Sequence, residues 1–453
     1  MVILIFLSGC HSHTKYLESN LTVPENYDFN TSENLTSVSI DWWKNFNSQI
    51  LNDLINEAKQ NSPDALIAVQ KLEQSRLQLE NAGISYYPGL DLSAGTSGSR
   101  TKPEHEGWST SRSTNANVKI SYEIDLWGKI AGQKEVAASS YLATKYGKDA
   151  TMLTLYSMVA QSYFNVLATQ ERLKIAKENL KISENLLTIV NAKYSAGSIS
   201  ALDVNLQKSS HLSQKVNVEN LEQQLKQYKS ALAILVGSAP QNYTFDSEDF
   251  WSLNIPKVKA GLPSELLLNR PDIGVARENV NAANAATKVA NADRFPSFTL
   301  SASGGVSSPG LVSFADPTSV LSLGLNAVYT LFDWGKLKNL RDIEISRTKE
   351  AILNYNKVIL EALKESDDAL SDVAHQNSLS FMQKEMVDYA KNSLDISSMQ
   401  YKYGTKDFIS LLDSQKNFFS ATDSLAAQRL NHLVSLITLY KTLGGGWNYE
   451  EEL

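Results

Sequence analysis

Two stretches of the chain contain paired segments in which apolar and polar residues alternate. The apolar positions of the first pair are Leu90, Leu92 and Ala94, then Val118, Ile120, Tyr122 and Ile124. Those of the second pair are Phe298, Leu300 and Ala302, then Leu321, Leu323, Leu325, Ala327, Tyr329 and Leu331. A period of two is typical of strands with one apolar face. The pattern predicts two β-hairpins, within 88–127 and 295–332, with polar loops at Thr101–Ser113 and Ser307–Pro317.

Heptad-like spacing of large side chains predicts long helices after the hairpins. One set, at steps of seven, is Val159, Val166, Leu173, Leu180, Leu187 and Tyr194. Two further sets, at steps of three and four, are Val218, Leu221, Leu225, Tyr228, Leu232 and Leu235, then Ala426, Leu430, Leu433, Ile437 and Tyr440. Such spacing is typical of coiled-coil seams. The stretch from Gly128 to Tyr194 contains no proline, and as one helix it would be about 100 Å long at 1.5 Å per residue.

The seam predicted for the long helix of the second half is more polar than that of the first. Polar residues occupy several of its positions, including Ser366, Gln376 and Ser380. Two interpretations stay open from the spacing alone. The polar positions indicate either a wet interior or an imperfect coiled coil.

The chain also repeats itself. At one constant displacement, Trp127-Gly128-Lys129 recurs as Trp334-Gly335-Lys336, and Tyr194, Gly197 and Gly237 recur as Tyr401, Gly404 and Gly444. Two proline-free stretches of equal length, 104–239 and 318–453, follow the same division. We therefore predict two tandem structural repeats, 51–238 and 239–444, each with a helix, a hairpin, a long helix and a further helix. The second repeat begins with a linker, and a tail spans 445–453.

Membrane insertion, if it occurs, has to use strands. No run of about 18 apolar residues is present, so the sequence predicts no transmembrane helix. Strands of about ten residues can cross a bilayer when tilted. Two hairpins supply an open sheet, however, and every unpaired edge N–H or C=O group in lipid costs several kcal/mol. A membrane-spanning form therefore requires other copies of the chain to close the sheet.

The first ten residues form an apolar stretch that ends in Leu7-Ser8-Gly9-Cys10. This ending resembles a bacterial lipobox, in which the signal peptide is cut before a cysteine that then carries lipid such as palmitate. No Lys or Arg precedes the apolar run, so we expect residues 1–9 to be the remnant of a longer signal. Residues 10–50 are predicted to be a lipidated tether, stapled to the helices through Trp42, Trp43 and Phe46.

Composition narrows the function. The chain has 453 residues, with 42 Lys and Arg against 49 Asp and Glu, so it lacks the positive charge that nucleic-acid binding requires. A single cysteine excludes an intramolecular disulfide and a thiolate metal cluster. Gly128-Lys129 and Gly335-Lys336 lack the upstream glycine of a phosphate loop. We predict no enzyme, no cofactor and no metal site. A coiled-coil adaptor or scaffold protein is one function that the helical seams allow, but the alternating segments argue against it.

Several motifs in a fixed order then point to a family. They are Leu7 to Cys10, Trp42-Trp43-Lys44-Asn45-Phe46, Tyr122 to Lys129, Leu268-Asn269-Arg270-Pro271-Asp272-Ile273, Phe332-Asp333-Trp334-Gly335-Lys336 and Leu443-Gly444-Gly445-Gly446-Trp447. Together they resemble the TolC-type outer-membrane efflux channel family. The branch indicated is that of the lipoproteins that serve resistance-nodulation-division pumps in Gram-negative bacteria.

The resemblance implies an α+β membrane protein that assembles as a homotrimer. Four strands per chain would form a trimeric 12-stranded β-barrel in the outer membrane, continuous with a long periplasmic α-helical barrel. The trimer would be the passive exit duct of a tripartite drug or solute efflux system. Its partners would be a periplasmic adaptor (membrane fusion) protein, an inner-membrane resistance-nodulation-division pump and outer-membrane lipid.

The resemblance also places a periplasmic gate at the two turns around Gly197 and Gly404. Carried over by position, Asp203 is an acid that Tyr401 and Lys406 hold, and Asp413 is one of the acids that line the opening. A second lining acid of the family falls on Ser410, and Asp407 is a nearby candidate to replace it. The competing interpretation is that these charged residues only lie on a solvent-exposed helix turn.

Trp127 and Trp334 each end a predicted strand just before a glycine and a helix. We predict that both belong to an aromatic girdle at the periplasmic membrane interface, where an indole keeps its ring in the acyl boundary and its N–H in water. The competing interpretation is ordinary packing at a strand-to-helix corner.

Overall fold

The structure, a computed structural model, describes residues 17–19, 21–24, 27, 40–104, 107–241, 243–258, 262–310, 312 and 314–445. Cys10, the signal segment predicted at 1–9 and most of the predicted tail lie outside these residues. Among the described residues, no helix combines the length and apolar character needed to cross a bilayer.

The described chain is mainly helical. Its α-helices are Gln49–Asn61 (α1), Pro63–Ile84 (α2), Lys129–Ser195 (α3), Ala201–Leu235 (α4), Leu266–Asn269 (α5), Pro271–Ala292 (α6), Lys336–Lys402 (α7) and Phe408–Thr442 (α8). Its strands are Gly89–Thr101 (β1), Ser109–Ile124 (β2), Ser297–Ser308 (β3) and Thr318–Val328 (β4). The equivalent helices of the two halves have equal lengths, 22 residues for α2 and α6, 67 for α3 and α7, and 35 for α4 and α8. The predicted duplication is therefore confirmed.

The four strands form one antiparallel sheet in the order β1-β2-β3-β4. Several predicted limits were wrong, including the end of β3, which reaches Ser308, inside the second predicted loop. Strand β2 begins at Ser109, inside the predicted loop, because its backbone stays paired with Thr101 after the apolar alternation has ended. Strand β4 ends at Val328, so Tyr329 and Leu331 continue the alternation outside the strand. The central pair β2–β3 joins the two repeats into a single sheet.

The register gives this sheet one apolar face and one polar face. Residues paired directly across antiparallel strands share a face. One row across all four strands is apolar and consists of Leu90, Ile120, Ala302 and Leu323. The neighbouring row is polar and consists of Asp91, Lys119, Ser303 and Ser322. Large side chains of the apolar face are exposed, Leu92 by 78% and Leu321 by 89%, so this face is uncovered in a single described chain.

The chain divides into two compact units. The first contains the sheet and the helix segments next to it, within Lys71–Lys145 and Val275–Asn356. The second contains Tyr146–Gly274, α8 and the rest of α7, together with α1 and the short helix Trp42–Phe46. In the second unit Trp42 is fully buried, with its ring stacked 5.2 Å from that of Tyr440. The aromatic segment Trp42–Phe46 thus packs against α8, and its role as a staple for the whole N-terminal segment stays a prediction.

A close backbone contact occurs at the same place in each repeat. Gly237, just after α4, has φ +79°, and a Cβ atom there would lie 2.2 Å from the carbonyl oxygen of Asn61. Gly444, just after α8, has φ +78°, and its Cβ would lie 1.8 Å from the carbonyl oxygen of Asn269. Only glycine fits both the left-handed backbone and the missing space. These contacts fix the end of each helical hairpin against the start of its own repeat.

Candidate functional site

The two helix-to-helix turns have nearly the same backbone. After α3, Gly197 adopts φ +71°, and the amide of Ser198 donates to the carbonyl of Lys193 over 2.9 Å. After α7, Gly404 adopts φ +75°, and the amide of Thr405 donates to the carbonyl of Gln400 over 2.9 Å. A left-handed glycine with this hydrogen bond is a common helix ending. Each turn reverses the chain within a few residues.

The side chains that begin the next helices differ between the turns. At α4 the hydroxyl of Ser200 accepts from the amide of Asp203, and the Asp203 carboxylate accepts from the Ser200 amide over 3.1 Å. This arrangement is a capping box. At α8 the carboxylate of Asp407 accepts from the amide of Ser410 over 2.7 Å. Hydrogen bonds from Ser410 hold the pKa of Asp407 below its usual range, so this acid is charged at neutral pH.

An apolar cluster brings the two turns together. It contains residues of α3, α4, α7 and α8 that are buried to at least nine-tenths: Val190, Val204, Leu394, Tyr401, Phe408, Leu411 and Leu412. The two hairpin ends of one chain therefore share one small core.

A lysine adds a polar contact between the two turns. The ammonium nitrogen of Lys193, in the last turn of α3, donates to the carbonyl oxygen of Tyr401, in the last turn of α7, over 2.8 Å. The same ammonium lies 4.0 Å from the centre of the Tyr401 ring. Burial, with a smaller effect of the nearby Asp203 carboxylate, raises the pKa of Tyr401, so the phenol is neutral. Lys193 thus contacts both the backbone and the ring of Tyr401.

The structure places Asp203 near Tyr401 but does not pair the predicted gate residues as predicted. Within the described part of a single chain, the Asp203 carboxylate bonds Ser200 instead of Tyr401 or Lys406. The Tyr401 hydroxyl is buried and has no hydrogen-bond partner among the described residues. Lys406 and Asp413 are both exposed. Only the proximity of Asp203 to Tyr401 follows the expectation, and the gate assignment itself stays a prediction.

The two interface tryptophans lie in different surroundings. The Trp127 indole N–H donates to the carbonyl oxygen of Pro296 over 2.6 Å, and its ring stacks on Phe295 at 4.8 Å. Trp334 is 88% exposed, with φ +55° and an edge contact to Phe332. Trp127 therefore shows the packing of a strand-to-helix corner, whereas the Trp334 side chain is free to face lipid. Membership of both in an aromatic girdle stays a prediction.

Sequence reasoning missed the ion pairs between the repeats, one of which joins the two helical hairpins. The guanidinium of Arg172, in α3, makes two parallel hydrogen bonds to the carboxylate of Asp423, in α8, over 2.7 and 2.9 Å. Bidentate pairs of this kind are the strong ones. No local sequence pattern predicts the Arg172–Asp423 pair, because the two residues are distant in sequence and neither belongs to a motif.

Two exposed apolar stripes were also missed, although heptad spacing reveals them. The stripe of α7 consists of Met382, Met386, Tyr389, Ile396 and Met399, continued by Tyr403 just after the helix, each between 48% and 77% exposed. The stripe of α4 consists of Leu202, Leu212 and Val216, each between 58% and 63% exposed. Both stripes begin near Gly197 or Gly404 and extend about 20 to 30 Å along their helices. We define these two sets as the α7 stripe and the α4 stripe.

Within the residues that the structure describes, no group of His, Cys, Asp and Glu could hold a metal ion. The site consists instead of helix ends, an apolar cluster and exposed apolar stripes. These features suit movement and assembly of helices.

Two equal helical hairpins, joined through a four-stranded sheet with an exposed apolar face, define a channel-type protein of the outer membrane. A family model described as "Outer membrane efflux protein" matches residues 54–238 and 262–445. The pyoverdine export outer membrane protein OpmQ of Pseudomonas aeruginosa is 33% identical over 460 residues, covering 99% of this chain and 96% of OpmQ. The cation efflux system protein CusC of Escherichia coli (strain K12) is 28% identical, with 98% of each chain covered. The chain belongs to the outer membrane efflux protein family.

Solved structures agree with this assignment. The structure of CusC matches with a TM-score of 0.83 at 26% identity and covers 95% of this chain and 98% of CusC. The open state of the Neisseria gonorrhoeae MtrE outer membrane channel matches with a TM-score of 0.84 at 26% identity, covering 97% and 99%. The predicted family, fold class and outer-membrane location are thereby confirmed. The family is one of efflux channels, not of enzymes.

Proposed function

We propose that three copies of the chain form the passive exit duct of a tripartite efflux system, which a periplasmic adaptor protein and an inner-membrane pump complete. The observation that carries this proposal is the sheet, which is apolar on one face and ends in strands β1 and β4. Neither of these strands has a second partner strand among the described residues. The partners come from the family, whose relatives are named as components of export and efflux systems.

Closure of the sheet by further copies would cover its apolar face with lipid and pair its two edges. The row containing Leu90 and Leu323 would face hydrocarbon, and the row containing Asp91 and Ser322 would face water inside a barrel. Because strand directions alternate, β4 of one copy would meet β1 of the next in antiparallel fashion. Every edge group would then be paired, which lipid requires.

The helices support the same assembly. Away from the turns, where Lys193 of α3 also contacts α7, hydrogen bonds link the helices in the order α4, α3, α8 and α7. The contacts are Gln207 to Ser183, Arg172 to Asp423 and Gln428 to Gln376. Helices α4 and α7 are therefore the two edges of the hairpin pair, and each carries its exposed stripe. In a closed ring the α7 stripe of one copy would pack on the α4 stripe of the next.

Purified protein in lipid vesicles and planar bilayers tests the proposal. We expect a particle of three times the mass of one chain by native mass spectrometry, and ion conductance in bilayers. Leu323→Arg puts a charge on the lipid-facing side and should make the free energy of folding into vesicles less favourable by about 2 to 4 kcal/mol. Ser322→Arg, one residue away on the opposite face, is the matched control. Equal effects of both variants, or a monomer without conductance, would contradict the proposal.

We further propose that the two turns form the closed gate of this duct and that Asp203, Tyr401, Lys406 and Asp413 act there. Support comes from the shared cluster, which contains Tyr401 and Val204, and from the effect of the neighbouring Asp203 charge on the Tyr401 phenol. Asp203→Ala should raise single-channel conductance. Ser200→Ala removes the same capping box but keeps the carboxylate, and it should leave conductance nearer that of the wild type. If both variants raise conductance equally, Asp203 acts only through its cap.

Lipid attachment at Cys10 is proposed on the lipobox-like sequence alone. Cells fed with labelled palmitate should incorporate the label into the wild-type protein and not into Cys10→Ala. Equal labelling of both proteins would remove the assignment.

A further inference from the structure

We propose that Lys193 is the latch that holds the two helical hairpins of one chain together at their turns, and that opening of the duct requires its release. This inference rests on the proposed function of the turns as a gate. It assigns the holding role to a residue outside the predicted set of Asp203, Tyr401, Lys406 and Asp413.

The geometry of Lys193 meets two needs of a latch. Its ammonium donates to the carbonyl of Tyr401 over 2.8 Å, at the C-terminal end of α7, where the helix dipole favours a positive charge. It also lies 4.0 Å from the Tyr401 ring centre, within the range of a cation–π contact. One side chain of the first repeat therefore grips the last turn of the second repeat by two different interactions.

The other polar groups at the turns are directed elsewhere. The Asp203 carboxylate bonds the backbone and hydroxyl of Ser200, on its own helix. The Tyr401 hydroxyl bonds nothing among the described residues. Of the hydrogen bonds that the structure gives at these turns, the one from Lys193 connects the first hairpin with the second.

The contact occurs once per chain, because the repeats differ at this position. Aligned on the turn glycines, Lys193 corresponds to Gln400 and Tyr401 corresponds to Tyr194. Tyr194 is 48% exposed, whereas Tyr401 is 5% exposed. A duct of three copies would thus have three such latches, each bound to the C-terminal end of α7 in its own copy.

The latch is also weak enough to be released. Lys193 is half-buried at the edge of the apolar cluster, so water or an acidic group of a partner can reach its ammonium. The Arg172–Asp423 pair lies about 30 Å away along α3 and is bidentate. It joins the same two hairpins more firmly, so a hairpin freed at the turn remains attached there.

Single-channel recordings of the full-length protein in planar bilayers test this inference. Lys193→Met keeps the apolar stem and removes the charge, and it should raise the open fraction about fivefold or more. Lys193→Arg retains a cation that can reach carbonyl and ring, and it should restore most of the closed state. Lys181→Met changes an exposed lysine of the same helix and is the matched control, expected to behave as wild type.

The outcomes separate the latch from the gate. If the wild type conducts and Lys193→Met conducts no more than Lys181→Met, the latch role of Lys193 is refuted and the duct function is retained. If the wild type forms no channel, the proposed function fails instead. Thermal unfolding of each variant shows whether higher conductance is accompanied by loss of fold. A latch predicts a change of open fraction at nearly constant unfolding temperature, and a rise explained by unfolding would overturn it.

Discussion

At the scale of single residues, two glycines with the same backbone conformation differ in the space around their Cα atoms. Gly404 and Gly444 both follow a helix and both adopt a left-handed φ, +75° and +78°. A Cβ on Gly404 would meet nothing within 4 Å, whereas a Cβ on Gly444 would lie 1.8 Å from the Asn269 carbonyl oxygen. The sequence shows both as glycines in repeated motifs and cannot distinguish them. The difference arises from a chain segment far away in sequence.

Alanine at these two glycines should therefore have unequal effects. Gly404→Ala is expected to cost about 1 kcal/mol, the price of a left-handed alanine. Gly444→Ala adds a backbone clash that only a shift of α8 or of the Asn269 segment can relieve, and its cost should be several-fold larger. The unfolding temperatures of the two variants, compared in one detergent, measure this difference. Equal shifts would mean that the Asn269 contact is not maintained in solution.

At the scale of elements, polar side chains in the seam between α7 and α8 form direct hydrogen bonds with each other. The Gln428 amide donates to the backbone carbonyl and side-chain oxygen of Gln376 over 3.1 and 2.9 Å. Next to it, His432 is 2% exposed and its Nδ1 lies 3.4 Å from the Ser380 hydroxyl. The sequence left a wet interior and an imperfect coiled coil open. Side-chain pairing across the seam supports a coiled coil with polar positions.

The buried His432 predicts a pH dependence. Burial, together with the Arg429 charge, lowers its pKa, while Asp372 opposes this effect. Because the folded state prefers the neutral ring, stability should fall as the pH drops below about 6.5, the ordinary pKa of histidine. His432→Gln removes the titrating group and keeps an amide near Ser380. Unfolding temperatures recorded from about pH 7.5 to about pH 5 should decline more for the wild type. Parallel curves would exclude His432 as the cause.

At the scale of the whole molecule, a single chain is incomplete in two separate places. Among the described residues, its sheet has two edges without a partner strand, and its helices α7 and α4 carry exposed apolar stripes. Periodicity predicted the sheet and the helices, because both follow from local spacing of apolar residues, and the need for copies followed from the open edges of that sheet. It did not predict the partners of Asp203 and Lys193. Asp203 has a competing local partner in Ser200, and Lys193 contacts a residue of the other repeat.

Charges on the α7 stripe should dissociate the assembly without unfolding the chain. Tyr389→Asp combined with Ile396→Asp places two carboxylates on side chains that are 71% and 52% exposed in one chain. Lys391→Glu alters the charge of an exposed residue on the far side of the same helix and is the matched control. Native mass spectrometry should show monomers for the double variant and trimers for the control. Intact trimers of the double variant would mean that the stripe faces something other than a second copy.

The two open edges of the sheet also have a genetic consequence. A copy with a damaged β4 can still offer an intact β1 to its neighbour, so it enters the ring and prevents closure. When damaged and normal copies are made in equal amounts and mix at random, only about one ring in eight contains three normal copies. Mutant alleles of this kind should therefore be dominant in a cell that also carries the wild-type gene, whereas alleles that unfold the chain should be recessive.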